Sequence, residues 1–98
     1  MEEEAVRKHA EAHAAANASG DMARAASDLT DEAKANIGPV FRQLPRPITA
    51  GEVVNVKEGD TGRFIVEIRY SGTDSSAMVE SIWVERDGRP MIAETRIV

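Results

Sequence analysis

The pattern of hydrophobic and polar positions divides the chain into a helical first part and a sheet-forming second part. From Glu2 to about Ser19 the sequence is rich in alanine and contains neither proline nor glycine, which favours one long helix. Gly20 can adopt the left-handed conformation that ends a helix, and Asp21 can cap a second, short helix from Met22 to about Ser27. We therefore expect the chain to begin with two consecutive helices.

A third helix is predicted by apolar residues at helical spacing. Ser27 or Thr30 could cap this helix at its start. Gly38-Pro39 interrupts the pattern, so we expect either a kink or a break into two short turns. The sequence LPRP, from Leu44 to Pro47, should end the helical part, because proline disfavours helix in the residue before it. The apolar positions are Ala33, Ile37, Val40, Phe41 and Leu44.

Four runs rich in β-branched residues follow, separated by the turn sequences EGDTG, SGTDS and DGR. Connections this short join antiparallel neighbours. The chain of 98 residues is long enough for one domain, spanning residues 1–98. The sequence thus predicts an α+β fold, in which N-terminal helices pack on a curved antiparallel β-sheet of about four strands. The predicted strands are Ile48–Lys57, Gly62–Ser71, Ser76–Arg86 and Pro90–Val98.

Alternate residues of a strand face the same side of the sheet, so the two faces can be predicted. One face is nearly all apolar and should receive the helices. The other face mixes charged residues with aliphatic ones, and an exposed apolar patch of this kind usually marks an interface. We expect a homodimer that joins the outer sheet faces, the alternative being a solvated face with scattered aliphatic residues. The inner face collects Phe64, Val66, Ile68, Tyr70, Ala77, Val79, Ser81, Trp83, Met91, Ala93, Thr95 and Ile97, and the outer patch Ile65, Met78, Ile82, Val84 and Ile92.

Composition excludes several functional classes. The 17 acidic and 12 basic residues give a formal net charge of −5, and four aromatic residues leave little for base stacking, so we expect no nucleic-acid partner. Without cysteine there is no disulfide or thiolate site. No segment approaches the roughly 20 apolar residues of a membrane helix. The acidic start MEEEAVRKHA lacks the basic and apolar regions of a signal peptide, so a cytoplasmic location is expected.

The order of these parts resembles the NTF2-like (cystatin-like α+β) superfamily, which includes ketosteroid isomerases and SnoaL-like polyketide cyclases. The resemblance rests on Gly20-Asp21 after a long helix, on the acidic turn Leu29–Ala33, and on the closing hairpin Asp87-Gly88-Arg89 with its terminal strand. It covers essentially the whole chain, as a short member of the superfamily. It implies a conical fold that encloses a pocket, and frequent dimers formed through the sheet.

The resemblance also bears on chemistry. In ketosteroid isomerase-like members, a tyrosine on the first helix hydrogen-bonds the developing enolate, and His13 occupies the corresponding position here. Those enzymes place a carboxylate base where this chain has Ile37, and the neighbouring Asn36 cannot abstract a proton. The resemblance therefore implies a pocket without that base, and the predicted inner face supplies no other carboxylate.

His13 is the histidine best placed for a function. His9 lies about one helical turn earlier, but HAEAH is not a recognised zinc motif and no third ligand is evident, so we expect no metal and no cofactor. Two functions remain: a domain that binds a small apolar molecule between helices and sheet, or a non-catalytic dimeric module with a filled core. The first requires a cavity of about 300 Å³ or more. Its predicted polar contacts are His13, Tyr70, Ser81, Trp83 and Thr95.

Overall fold

A computed structural model describes all 98 residues. The alanine-rich segment forms helix α1 (Glu3–Ser19), which ends at Gly20 with φ of +82°. Val6, Ala10 and Ala14 follow one another at four-residue spacing and are buried against the sheet. A Cβ built on Gly51 would lie only 2.9 Å from the Ala14 carbonyl oxygen. Small side chains on α1 and this glycine in the first strand therefore let helix and sheet approach closely.

Three short helices follow, as the breaks in the pattern predict. Helix α2 (Met22–Ser27) is capped by Asp21, whose carboxylate accepts from the Arg24 N–H. Helix α3 (Asp31–Asn36) is capped by Thr30, which decides between the two caps considered above. Gly38-Pro39 breaks the helical pattern rather than bending it, and a separate helix α4 (Gly38–Phe41) begins there. The structure contains no helix whose length and apolar character would let it cross a membrane.

The second part of the chain forms one antiparallel sheet in the order β1-β2-β3-β4. The α+β fold predicted from the sequence is thereby confirmed, with helices on one face of an open four-stranded sheet. Asp87 and Gly88 both have positive φ, +52° and +78°, as a tight hairpin between the last two strands requires. The strands are β1 (Ala50–Glu58), β2 (Phe64–Ser71), β3 (Ser76–Arg86) and β4 (Arg89–Ile97).

The predicted faces are correct for β2 and β3 but wrong for the first half of β4. Trp83 pairs with Ile92, whereas Ile82 pairs with Glu94, so Ala93 is an extra residue in β4. This bulge reverses the alternation. Ile92, predicted on the outer face, is 1% exposed and belongs to the core. Met91, predicted on the inner face, lies opposite Val84 on the outer face.

The core lies between α1 and the inner face of the sheet. Its largest fully buried side chains are Trp83, Ile68 and Ile92, and Val6 and Val66 are equally inaccessible. The opposite face carries no helix. Its aliphatic residues are half-buried among charged side chains, of which Arg96 and Glu80 form an ion pair of 2.7 Å. The outer patch therefore loses Ile92 and gains Met91, beside Ile65, Met78, Ile82 and Val84.

Candidate binding and acid–base site

A cavity of about 450 Å³ lies between the short helices and the inner face of the sheet. Twelve of its 17 lining residues are hydrophobic, Tyr70 with its polar hydroxyl group among them. Met22 and Phe41 line it while remaining 43% and 38% exposed, which places them at its opening. The core is therefore not filled at this end of the sheet. The polar and charged side chains of the lining are His13, Asn17, Lys34, Tyr70, Ser81 and Thr95.

Helix α1 presents His13 and Asn17 to this cavity. The two residues are four positions apart, so they lie one turn from each other on the same helix face. Both are buried, with 8% and 7% of their surfaces exposed. His9 does not line the cavity, and its Nδ1 atom has no hydrogen-bond partner. The two histidines therefore do not act as a pair.

The imidazole of His13 contacts a carboxylate from outside the sheet, that of Asp28. The Nδ1 atom of His13 lies 3.0 Å from Oδ2 of Asp28, and Asp28 is completely buried. Asp28 directly follows α2. Its backbone carbonyl accepts a 2.7 Å hydrogen bond from the Ile92 N–H, while the Ile92 carbonyl accepts from Thr30. This short parallel contact between the loop and β4 fixes the position of the carboxylate.

Two arginines compensate the buried charge of Asp28. Nη2 of Arg89, the first residue of β4, donates to Oδ1 of Asp28 at 2.5 Å. Arg24 lies one turn before Asp28, with its Nε 3.9 Å from Oδ2. A carboxylate without such partners would be strongly destabilised in this position, because burial removes its hydration. The arginines therefore allow a charged group to lie behind His13.

Asp28 also determines which nitrogen of His13 carries the proton. A carboxylate oxygen accepts hydrogen bonds, so the Nδ1–H of neutral His13 is donated to Asp28. Nε2 then holds a lone pair, and its protein neighbour is the Asn17 amide nitrogen at 3.3 Å. The lone pair accepts a long hydrogen bond from that amide, which a bound molecule has to displace before Nε2 can take its proton. This is the arrangement in which a carboxylate orients a histidine as a base.

Tyr70 supplies a hydroxyl group beside this base. Its oxygen accepts a 2.9 Å hydrogen bond from the amide of Asn17, and no protein atom accepts the phenolic proton. Burial raises the pKa of Tyr70 to about 12, and the nearby charge of Asp28 acts in the same direction, while the Asn17 hydrogen bond opposes it. Tyr70 is therefore protonated at neutral pH and can donate to a ligand oxygen.

The remaining predicted contacts divide into two groups. Ser81 and Thr95 line the cavity with His13 and Tyr70. Trp83 does not: it is fully buried, and its indole N–H donates to Ser81 Oγ at 3.0 Å. Its ring lies at 87° to that of His13, with centroids 6.1 Å apart. Trp83 therefore packs against His13 and supports it from behind the cavity wall.

The predicted inner sheet face offers His13 no carboxylate partner, and the structure supplies one, Asp28, from a loop. Strand alternation identifies residues of the sheet face alone, whereas Asp28 lies outside the strands. Arg89 was missed because only the folded hairpin brings it to that loop. Asn17, in contrast, follows His13 by four residues, so helical spacing alone could have identified it.

Comparison with known proteins adds no relative to this geometry: no family model, curated protein or solved structure matches the chain.

Proposed function

We propose that this protein binds a small, mostly apolar molecule in the cavity between helices and sheet, and that His13 removes a proton from it. The observation that carries the proposal is the pair formed by His13 and the fully buried Asp28 at the wall of an apolar cavity. Apolar surroundings favour binding of an apolar molecule and leave a base incompletely hydrated. Cavity and base together indicate acid–base chemistry on a bound molecule rather than binding alone.

The proposed reaction is removal of a carbon-bound proton next to a carbonyl group. The Nε2 lone pair of His13 takes the proton, the C–H electron pair forms a carbon–carbon double bond, and the carbonyl oxygen becomes an enolate. Tyr70 donates its free phenolic proton in a hydrogen bond to that oxygen. Asp28 stabilises the imidazolium that forms. If the molecule carries a second carbon–carbon double bond conjugated with this enolate, return of the proton at the far end of the conjugated system gives isomerisation.

A sheet-to-sheet homodimer and membership of the NTF2-like superfamily complete the proposal. The half-buried side chains of Ile65, Met78, Ile82 and Val84 on the uncovered sheet face support the dimer. Membership of the superfamily is supported by the order of helices and antiparallel strands. It is also supported by the cavity, because side chains of the first helix line it. In this assignment, His13 paired with Asp28 acts as the base. The position where ketosteroid isomerase-like members have their carboxylate base is occupied here by Ile37, which cannot act as one.

Binding can be tested with N-phenylnaphthylamine, an uncharged apolar dye whose fluorescence increases when it leaves water. We expect the wild-type protein to bind it with one site per chain. In the variant Thr95→Phe, the ring should occupy part of the cavity and weaken binding at least tenfold, because Thr95 lines the cavity. Thr73→Phe is the matched control, since Thr73 is exposed in the loop between β2 and β3.

Circular dichroism of the two variants establishes that both are folded. Unchanged dye affinity in folded Thr95→Phe would place the dye elsewhere and contradict binding in this cavity. Absence of dye binding by the wild-type protein would contradict it as well.

A further inference from the structure

The charged side chains that line the cavity have one sign. The chain contains 17 aspartate and glutamate residues and has a net charge of −5, yet none of these acidic residues lines the cavity. Lys34 is the one lysine or arginine among the lining residues. Asp28 lies behind His13 with its charge compensated by Arg89. An anion that enters the cavity therefore meets a positive charge in a protein that is otherwise acidic.

Lys34 is free to bind such an anion. It lies on α3, is exposed, and forms no hydrogen bond or ion pair through its ammonium group. A lysine that lines a cavity and is also exposed can lay its methylene groups along the wall and keep its ammonium group at the opening. The neighbouring lining residue Ile37 is apolar. The unpaired ammonium group of Lys34 therefore lies next to an apolar part of the cavity wall.

A second cavity of about 470 Å³ adjoins the first and shares Asn17, Met22, Phe41 and Leu44 with it. No aspartate or glutamate lines this cavity either, and its one charged residue is Arg46. The exclusion of acidic side chains therefore extends over both cavities. Lys34 lines the cavity that contains His13, whereas Arg46 lines only the second, so Lys34 is the cation that shares a cavity with the base.

We infer that the natural ligand is an amphiphilic anion, with an apolar body in the cavity and a carboxylate-type group held by Lys34 at the opening. The inference rests on the proposed function, because it takes the cavity as the binding site. It adds the substrate class: a monoanionic molecule with an extended apolar part, which carries the reacting C–H group beside His13.

The test compares decanoate with decanol, which share a carbon chain and differ in charge. Each displaces N-phenylnaphthylamine from the protein, at concentrations below those at which decanoate forms micelles. We expect decanoate to bind up to about fivefold more tightly than decanol, the upper end of the effect of one exposed ion pair. Lys34→Gln should remove this preference and leave decanol binding unchanged. Added salt should reduce the preference in the wild-type protein.

Two control variants make the test specific to Lys34. Lys8→Gln changes the same charge on an exposed position of α1 that lines neither cavity, and should retain the preference. Arg46→Gln should retain it as well.

Equal binding of decanoate and decanol by the wild-type protein, with the dye still bound, would overturn the inference and leave the proposed function intact. The inference would also be overturned if Lys34→Gln kept the preference for decanoate. It would be overturned equally if either control variant, Arg46→Gln or Lys8→Gln, lost that preference. Failure of the dye and of both competitors to bind would overturn both.

Discussion

The buried carboxylate of Asp28 determines what His13 can do. It accepts the Nδ1–H of His13 and so directs the basic Nε2 atom away from itself, while Arg89 compensates its charge. Removing Arg89 would leave the buried charge of Asp28 with less compensation and would destabilise the folded protein. Asp28 is thus important for stability as well as for the orientation of His13.

The pH at which Tyr70 loses its proton shows whether its phenol is buried or exposed. It is the one tyrosine of the chain, so the ultraviolet absorbance of tyrosinate reports on it alone. Because its pKa is raised from 10.0 to about 12, the folded protein should form tyrosinate at a pH about two units higher than the unfolded chain does. Titration of the folded protein with its midpoint near pH 10 would contradict the burial of this hydroxyl group.

The same shift makes stability depend on pH at the alkaline end. Below about pH 10, Tyr70 is protonated in both states, and it has no effect on the pH dependence of the free energy of unfolding. Between pH 10 and about 12 the unfolded chain releases the proton first, so the free energy of unfolding decreases as the pH rises. A shift of two units corresponds to a loss of about 3 kcal/mol.

Secondary-structure elements were predictable where short-range chemistry determines them. Gly20 ends α1, Asp21 caps α2, and Asp87-Gly88 forms the hairpin, each through a conformation or hydrogen bond within a few residues. Strand β3 has its predicted bounds, Ser76–Arg86. The positions of His13 and Tyr70 on buried faces follow from helical and strand periodicity, and the structure brings both to one cavity.

The bulge in β4 could not be predicted in the same way. Ala93 has no special backbone requirement that the sequence would reveal, and the reversal of alternation depends on pairing with β3. Its consequence is large: Ile92 turns into the core, and its backbone groups bind Asp28 and Thr30. The carboxylate behind His13 is therefore fixed by a contact between distant parts of the chain, which local patterns do not contain.

For the whole molecule, the uncovered face of the sheet predicts self-association. Ile82 lies within the outer patch, opposite Ile65 on β2. The variant Ile82→Asp should be a monomer in sedimentation equilibrium at concentrations where the wild-type protein is a dimer, because the interface would have to bury an unpaired carboxylate. Thr73→Asp, at an exposed loop position, introduces the same charge as a control and should remain dimeric.

A wild-type protein that sediments as a monomer would contradict the sheet-to-sheet dimer. A folded Ile82→Asp variant that remains dimeric would place the interface elsewhere on the molecule.

The central claim is that His13, oriented by Asp28, acts as a base on a molecule bound in the cavity. A nitrobenzisoxazole tests it directly, because removal of its ring C–H proton by a base forms a nitrile, breaks the N–O bond and releases a coloured phenolate. The wild-type protein should accelerate this reaction, and His13→Gln should lower kcat by at least about 100-fold with little change in KM. Asp28→Asn should also lower kcat, because it removes the charge that stabilises the imidazolium and weakens the hydrogen bond that orients the base. A folded His13→Gln variant with the wild-type rate would contradict the account.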